Sequence, residues 1–128
     1  MIQKEDLIRY KPERSGEAID EARLLAKHGH WNTVASRLYY AAFYAVNALL
    51  ISSDLDFKTH SGVKSLFHEN YIINKKIGIE YGSLYNILFN LRQMGDYEAF
   101  QVFTEQDILP YLSQTENFLS IVKNHLQK

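Results

Sequence analysis

Asn32-Thr33-Val34-Ala35-Ser36-Arg37-Leu38-Tyr39-Tyr40-Ala41-Ala42-Phe43-Tyr44-Ala45-Val46-Asn47-Ala48-Leu49-Leu50-Ile51-Ser52 is the stretch whose reading decides the fold. Val34, Leu38, Ala41, Ala42, Ala45 and Leu49 recur at three- and four-residue steps and form one apolar stripe, with Phe43 and Leu50 behind it. A helix apolar around most of its girth belongs at the centre of a domain rather than on its surface. Away from the stripe lie Arg37, Tyr40, Tyr44 and Asn47, a polar and aromatic strip. Such a strip suits a ligand cleft or a subunit contact whose edges must hydrogen-bond, although tyrosines also pack in cores with their hydroxyls reaching outward.

The flanking sequence supplies helices to cover this centre. Ala18, Ala22, Leu25 and Ala26 keep helical spacing and stop at Lys27-His28-Gly29, where a cation and a glycine suit a helix C-terminus. Pro12 reads either as an early-turn proline or as a break behind a short Lys4 to Tyr10 segment. Beyond the polar linker Ser52 to Asp56, Thr59 or Ser61 caps a third helix reaching about Tyr71, with Val63, Leu66 and Phe67 facing inward. Asn74 to Gly78 reads as a loop. A fourth helix runs from about Glu80 to Arg92 or a little later, weakened at its end by Gly95-Asp96. Thr104 with Asp107 gives a capping-box start to a fifth, which Pro110 bends or restarts on its way to His125.

No alternating strands and no repeat period of roughly 20 to 50 residues are present. The expectation is an all-α, up-down bundle of four main helices with an extra terminal helix or turns, one domain over residues 1–128.

Composition narrows the function classes. The 128 residues contain no Cys, which excludes thiolate catalysis and Cys-based zinc sites and suits a reducing cytoplasm. Lys and Arg number 14 against 15 Asp and Glu, so no global positive charge drives nucleic-acid binding and only a local patch can. Nine Tyr and seven Phe against two Pro favour long helices with aromatic packing, and this surplus together with a central helix apolar nearly all round points to more buried surface than a small monomer supplies, hence a homodimer. No apolar run approaches roughly 20 residues and the N-terminus has no signal-peptide pattern, so neither a membrane span nor export is expected.

Chemistry concentrates on Leu91-Arg92-Gln93-Met94-Gly95-Asp96-Tyr97. Tyr81, Tyr85, Leu88, Arg92 and Gly95 share one inward face, and Arg92 cannot shed its charge. It must be paired, with Asp96 one turn on, or reserved for an anionic ligand. The five histidines lack the spacing of helical metal ligands, so neither a metal nor another cofactor is expected. His60, near a capped helix N-terminus, is the best placed of them. The glycines are scattered and form no phosphate loop.

Three blocks together carry a resemblance: Ser36-Arg37-Leu38-Tyr39-Tyr40-Ala41-Ala42-Phe43-Tyr44-Ala45 with Ala48-Leu49-Leu50, then Thr59-His60-Ser61-Gly62-Val63, then Arg92-Gln93-Met94-Gly95-Asp96-Tyr97. In this order they resemble the HEPN domain family, named for nucleotide binding in higher eukaryotes and prokaryotes. The resemblance implies a helical bundle, commonly dimeric, often acting beside a minimal nucleotidyltransferase in a two-component or toxin-antitoxin system. Many members are ribonucleases whose motif arginine, matched here by Arg92, is separated by four to six intervening residues from a following histidine. Those positions are Tyr97, Glu98 and Ala99, so the proton-transfer partner is absent. The Asp-Tyr form resembles the branch that binds nucleotides or RNA, or serves as partner of a nucleotidyltransferase. The reading is therefore a binding module presenting Arg37, Tyr40, Tyr44, Arg92, Asp96 and Tyr97 to a nucleotide or RNA. Its rivals are a metal-independent ribonuclease using Arg92 with Tyr97 or His60, and a scaffold that only docks a partner.

Overall fold

The computed structural model describes residues 3–97 and 101–127, with the Tyr97 side chain outside that description. The chain is an all-α bundle, with no strand among the described residues. Four long helices, α1 (Lys4–Lys27), α2 (Trp31–Ser52), α4 (Ile79–Tyr97) and α6 (Pro110–Leu126), form its body. Between them lie α3 (His60–Phe67), which runs on as a π-helical turn over His68–Ile72, and the single turn α5 (Glu105–Ile108).

The central position of α2 follows from its composition. Val34, Ala35, Leu38, Tyr39, Ala41, Ala42, Ala45, Val46, Ala48, Leu49 and Leu50 are all buried, and α1, α3, α4, α5 and α6 pack around it. The chain's own helices thus cover the apolar girth, so that girth no longer argues for a second copy. By length and hydropathy α2 could cross a bilayer, yet 67% of the window that meets this test is buried inside the fold, as befits a core helix.

The α1–α2 pair is the most extensive contact. The buried residues of α1 are Ser15, Ala18, Ile19 and Ala22, three of them small, so the helices approach closely enough for Ser15 Oγ to donate to the Ala41 carbonyl at 2.7 Å. Gly29, at φ +73°, makes the reversal between them. Pro12 neither begins nor breaks the helix, because α1 runs through it unbroken. A proline there removes the donor that the Ile8 carbonyl would have in a regular helix. Ile8 and Pro12 line an open cavity of about 520 Å³ between α1 and α6.

Local signals set the other ends. Thr59 Oγ1 accepts from the Gly62 amide at 2.9 Å and caps α3, and Thr104 with Asp107 completes a capping box. Pro110 restarts the chain as α6, which buries Thr115, Phe118 and Val122. Helix α4 continues through Gly95 rather than fraying there. A Cβ on Gly95 would stand 3.2 Å from the Phe103 ring, so the glycine lets the returning chain lie against α4. Asn32 fixes that return: its Oδ1 accepts from the Phe103 amide at 2.8 Å and its Nδ2 donates to the Gln101 carbonyl at 2.9 Å.

Candidate functional site

Helices α2, α3 and α4 meet at one edge of the bundle, and the side chains there are aromatic and cationic. Tyr39 is the hub. It is buried, with the rings of Tyr40, Phe43, His60, Tyr85 and Phe89 all within 6.0 Å of its own. Arg92 projects from α4 against this cluster, its Cζ 5.5 Å from the Tyr39 ring centre and 5.4 Å from that of Tyr40. Its Nη2 donates to the Tyr40 hydroxyl at 3.0 Å, and its Nε pairs with Asp96 Oδ2 at 3.1 Å.

The two members of that ion pair differ in exposure. The Arg92 side chain is 13% exposed and is held by two rings and a hydroxyl, whereas that of Asp96 is 37% exposed. An arginine placed in this way keeps its orientation whichever anion faces it, because its position comes from the rings as well as from the carboxylate.

His60, the first residue of α3, belongs to the same edge. Its Nδ1 is 2.7 Å from the Tyr39 hydroxyl, and its ring stacks on Phe43 at 4.5 Å and 20°. Burial first, and the charge of Arg92 second, lower its pKa from 6.5, so the imidazole is neutral near pH 7. Burial likewise pushes the Tyr39 hydroxyl up to about 12, partly offset by Tyr85 and Arg92. The more deeply buried Tyr85 hydroxyl is raised further, by burial and then by Tyr39. Both phenols therefore stay protonated, and with Tyr39 engaging Nδ1, Nε2 is the nitrogen His60 has left for a ligand.

Of the residues singled out in the sequence, Arg37, Tyr40, Tyr44, His60, Arg92 and Asp96 are brought to this edge and its continuation along α2. Arg37 also lies against Tyr40, Cζ 5.1 Å from the ring centre, and pairs with Glu21 of α1 at 3.4 Å. The Tyr97 side chain, and all of Glu98 and Ala99, fall outside the described residues. Asn47 does not belong to the strip. It is buried at 1% exposure, with an Oδ1 that has no hydrogen-bond partner among the described residues. Tyr39 and Phe43, which hold Arg92 and His60 in place, are contributors that the stripe reading of α2 passed over. Among the described residues no three His, Asp or Glu side chains gather into a metal-holding group.

The chain is similar to known proteins along most of its length. A UPF0332 protein of Thermotoga maritima is 35% identical over 127 residues, which cover 99% of this chain and 96% of that protein. A UPF0332 protein of Gloeobacter violaceus is 31% identical over 115 residues, 89% of this chain and 91% of the relative. A protein of Methanocaldococcus jannaschii named "Putative toxin" is 28% identical over 114 residues, 89% of this chain and 78% of its own length. The HEPN domain model matches residues 9–125, nearly the whole bundle with its tyrosine edge, and the chain belongs to the HEPN domain family.

Proposed function

We propose that this protein is a nucleotide- or RNA-binding module of toxin-antitoxin type, holding a phosphate of its ligand at Arg92. The observation that carries the reading is the unequal ion pair: a guanidinium oriented by Tyr39 and Tyr40, faced by a carboxylate on an exposed side chain. A phosphate can take the place of Asp96 because that carboxylate, on a 37% exposed side chain, can turn to water while the largely buried guanidinium stays paired with an anion. The family and the name of the Methanocaldococcus jannaschii relative support the same reading. It includes a cytoplasmic setting, a minimal nucleotidyltransferase as partner and a homodimer, as the family resemblance implies. Co-purification of the two co-expressed proteins tests the partner. Light scattering tests the dimer, which a monomer mass unchanged on tenfold concentration would exclude.

Binding of labelled AMP and of a short RNA tests the site. Arg92→Ala is expected to weaken binding by about 2 kcal/mol, roughly thirtyfold, as expected when a charge-assisted hydrogen bond is removed. Asp96→Asn, which removes the competing carboxylate, should strengthen it severalfold. Unchanged affinity in Arg92→Ala would overturn the reading and leave a docking scaffold in its place.

The placement of His60 favours a second reading. A neutral imidazole hydrogen-bonded through Nδ1 and set beside an arginine has the makings of a general acid or base next to a phosphate-stabilising cation. In this reading His60 stands in for the absent motif histidine, and the protein is a metal-independent ribonuclease. RNA cleavage in excess chelator, lost in both His60→Ala and Arg92→Ala, would establish it. Intact RNA under the same conditions would dismiss it.

A further inference from the structure

One turn along α2 from Tyr40, Tyr44 forms a second cation-aromatic station with Lys11 and Arg14, two residues that the Arg92 site does not use. Lys11 Nζ lies 5.6 Å and Arg14 Cζ 5.3 Å from the centre of the Tyr44 ring, and Arg14 Nη2 donates to the Tyr44 hydroxyl at 3.4 Å. The Tyr44 and Tyr40 rings are 6.1 Å apart, with Arg37 and Arg92 at Tyr40. Cations and aromatic faces thus alternate along a continuous edge contributed by α4, α2 and α1.

The carboxylates near this edge are more exposed than the cations they face. Glu17 is 62% exposed against 38% for Arg14, and Glu21 is 55% exposed against 29% for Arg37. As at Asp96, the cations are held on rings while the acids sit on exposed side chains that an incoming polyanion displaces. A mononucleotide occupies one such station. Two stations in line match a flexible strand whose successive phosphates meet cations while its bases stack on aromatic faces.

We infer that the edge from Arg92 to Lys11 is a track for a single-stranded polynucleotide, with Lys11, Arg14 and Tyr44 holding the nucleotide next to the one at Arg92. The inference rests on the reading of Arg92 as an anion site. Uridine monophosphate and a uridine tetranucleotide, titrated at several salt concentrations against wild-type protein and the Lys11→Ala/Arg14→Ala double variant, test it. Wild type is expected to bind the tetranucleotide at least tenfold more tightly than the monophosphate. The double variant should lose that gain, keep its monophosphate affinity and show a shallower dependence of affinity on salt, by about 0.7 for each phosphate that it no longer neutralises. Tyr44→Leu should remove part of the same gain by taking away a stacking surface, and circular dichroism confirms that each variant is folded. A tetranucleotide bound no more tightly than the monophosphate, or bound equally by the double variant, overturns the track and leaves the Arg92 site standing. Failure of wild type to bind either ligand overturns both.

Discussion

Along one side of α2, Leu38, Ala41 and Ala45 let α1 come close enough for Ser15 to reach the Ala41 carbonyl. About a quarter turn further round, Tyr40 and Tyr44 hold guanidinium groups against their rings. The first side works by being small and buried, with the Ser15 hydroxyl satisfied internally by the Ala41 carbonyl. The second works by being large and half wet, with charges oriented but still in reach of solvent. Stability and ligand chemistry are thereby assigned to neighbouring faces of a single helix, and each can be perturbed with limited effect on the other.

The sharpest way to break this division is on the small side. Ala41→Leu forces three extra heavy atoms between α1 and α2 at a fully buried position and should cost about 1–3 kcal/mol, readable as a lower denaturation midpoint. Ligand affinity, measured well below that midpoint, should stay near the wild-type value. An Ala41→Leu protein that melts like wild type would show that the helices are not as close as the Ser15 contact implies.

Arg92→Ala is the converse. It removes a hydrogen bond to Tyr40 and contacts with two rings but leaves no buried carboxylate behind, since Asp96 is substantially exposed. The expected stability loss is about 1 kcal/mol, smaller than for Ala41→Leu, beside the larger loss of binding. A stability loss of about 3 kcal/mol or more, the magnitude of a broken buried pair, would make Arg92 part of the core instead.

The smallest effect concerns pH. Well above 6.5 the His60 imidazole is neutral in both the folded and the unfolded chain. Below 6.5 the unfolded chain takes up the proton first, because burial lowers the folded pKa, so stability falls with pH until the folded imidazole protonates too. His60→Gln should therefore lose less of its melting temperature than wild type between about pH 7.5 and 5.5. Parallel pH profiles for the two proteins would mean that His60 carries none of this dependence.

What the sequence made legible was local. The apolar girth of α2 and the Thr104–Asp107 capping box depend on residues within a turn or two of one another and are present in the structure, which also decides two open local choices, Thr59 over Ser61 as the α3 cap and a restart over a bend at Pro110. Arg92 was legible too, because an arginine on an inward face with an acid at i+4 is a feature of one helix. Asn47 misled for the converse reason. Its angular position matches Arg37, Tyr40 and Tyr44, but the strip runs out of solvent before reaching it, and periodicity says nothing about where a neighbouring helix ends. Pro12 was read as a boundary because proline usually is one; packing of α1 along α2 holds the helix through it. Lys11 and Arg14 reach Tyr44 across some 30 positions, as the separation of 30 between Arg14 and Tyr44 shows, and no spacing rule connects them. The double hydrogen bond of Asn32, 69 and 71 residues from its partners, was invisible on the same grounds.

The three-residue reversal at His28 to His30 also bears on the order in which the molecule assembles and opens. Helices α1 and α2 close on each other through near neighbours in the chain, so their hairpin forms at small entropic cost. The Arg92–Tyr40 contact joins residues 52 positions apart and waits for α3 and α4 to be in place. Amide protons at the Ser15–Ala41 seam would then exchange only through global unfolding, while those of α4 near Arg92 exchange through smaller excursions that detach α4 from a standing hairpin. A ligand bridging α2 and α4 would suppress those excursions, registering as slowed exchange in α4 before any change in the hairpin.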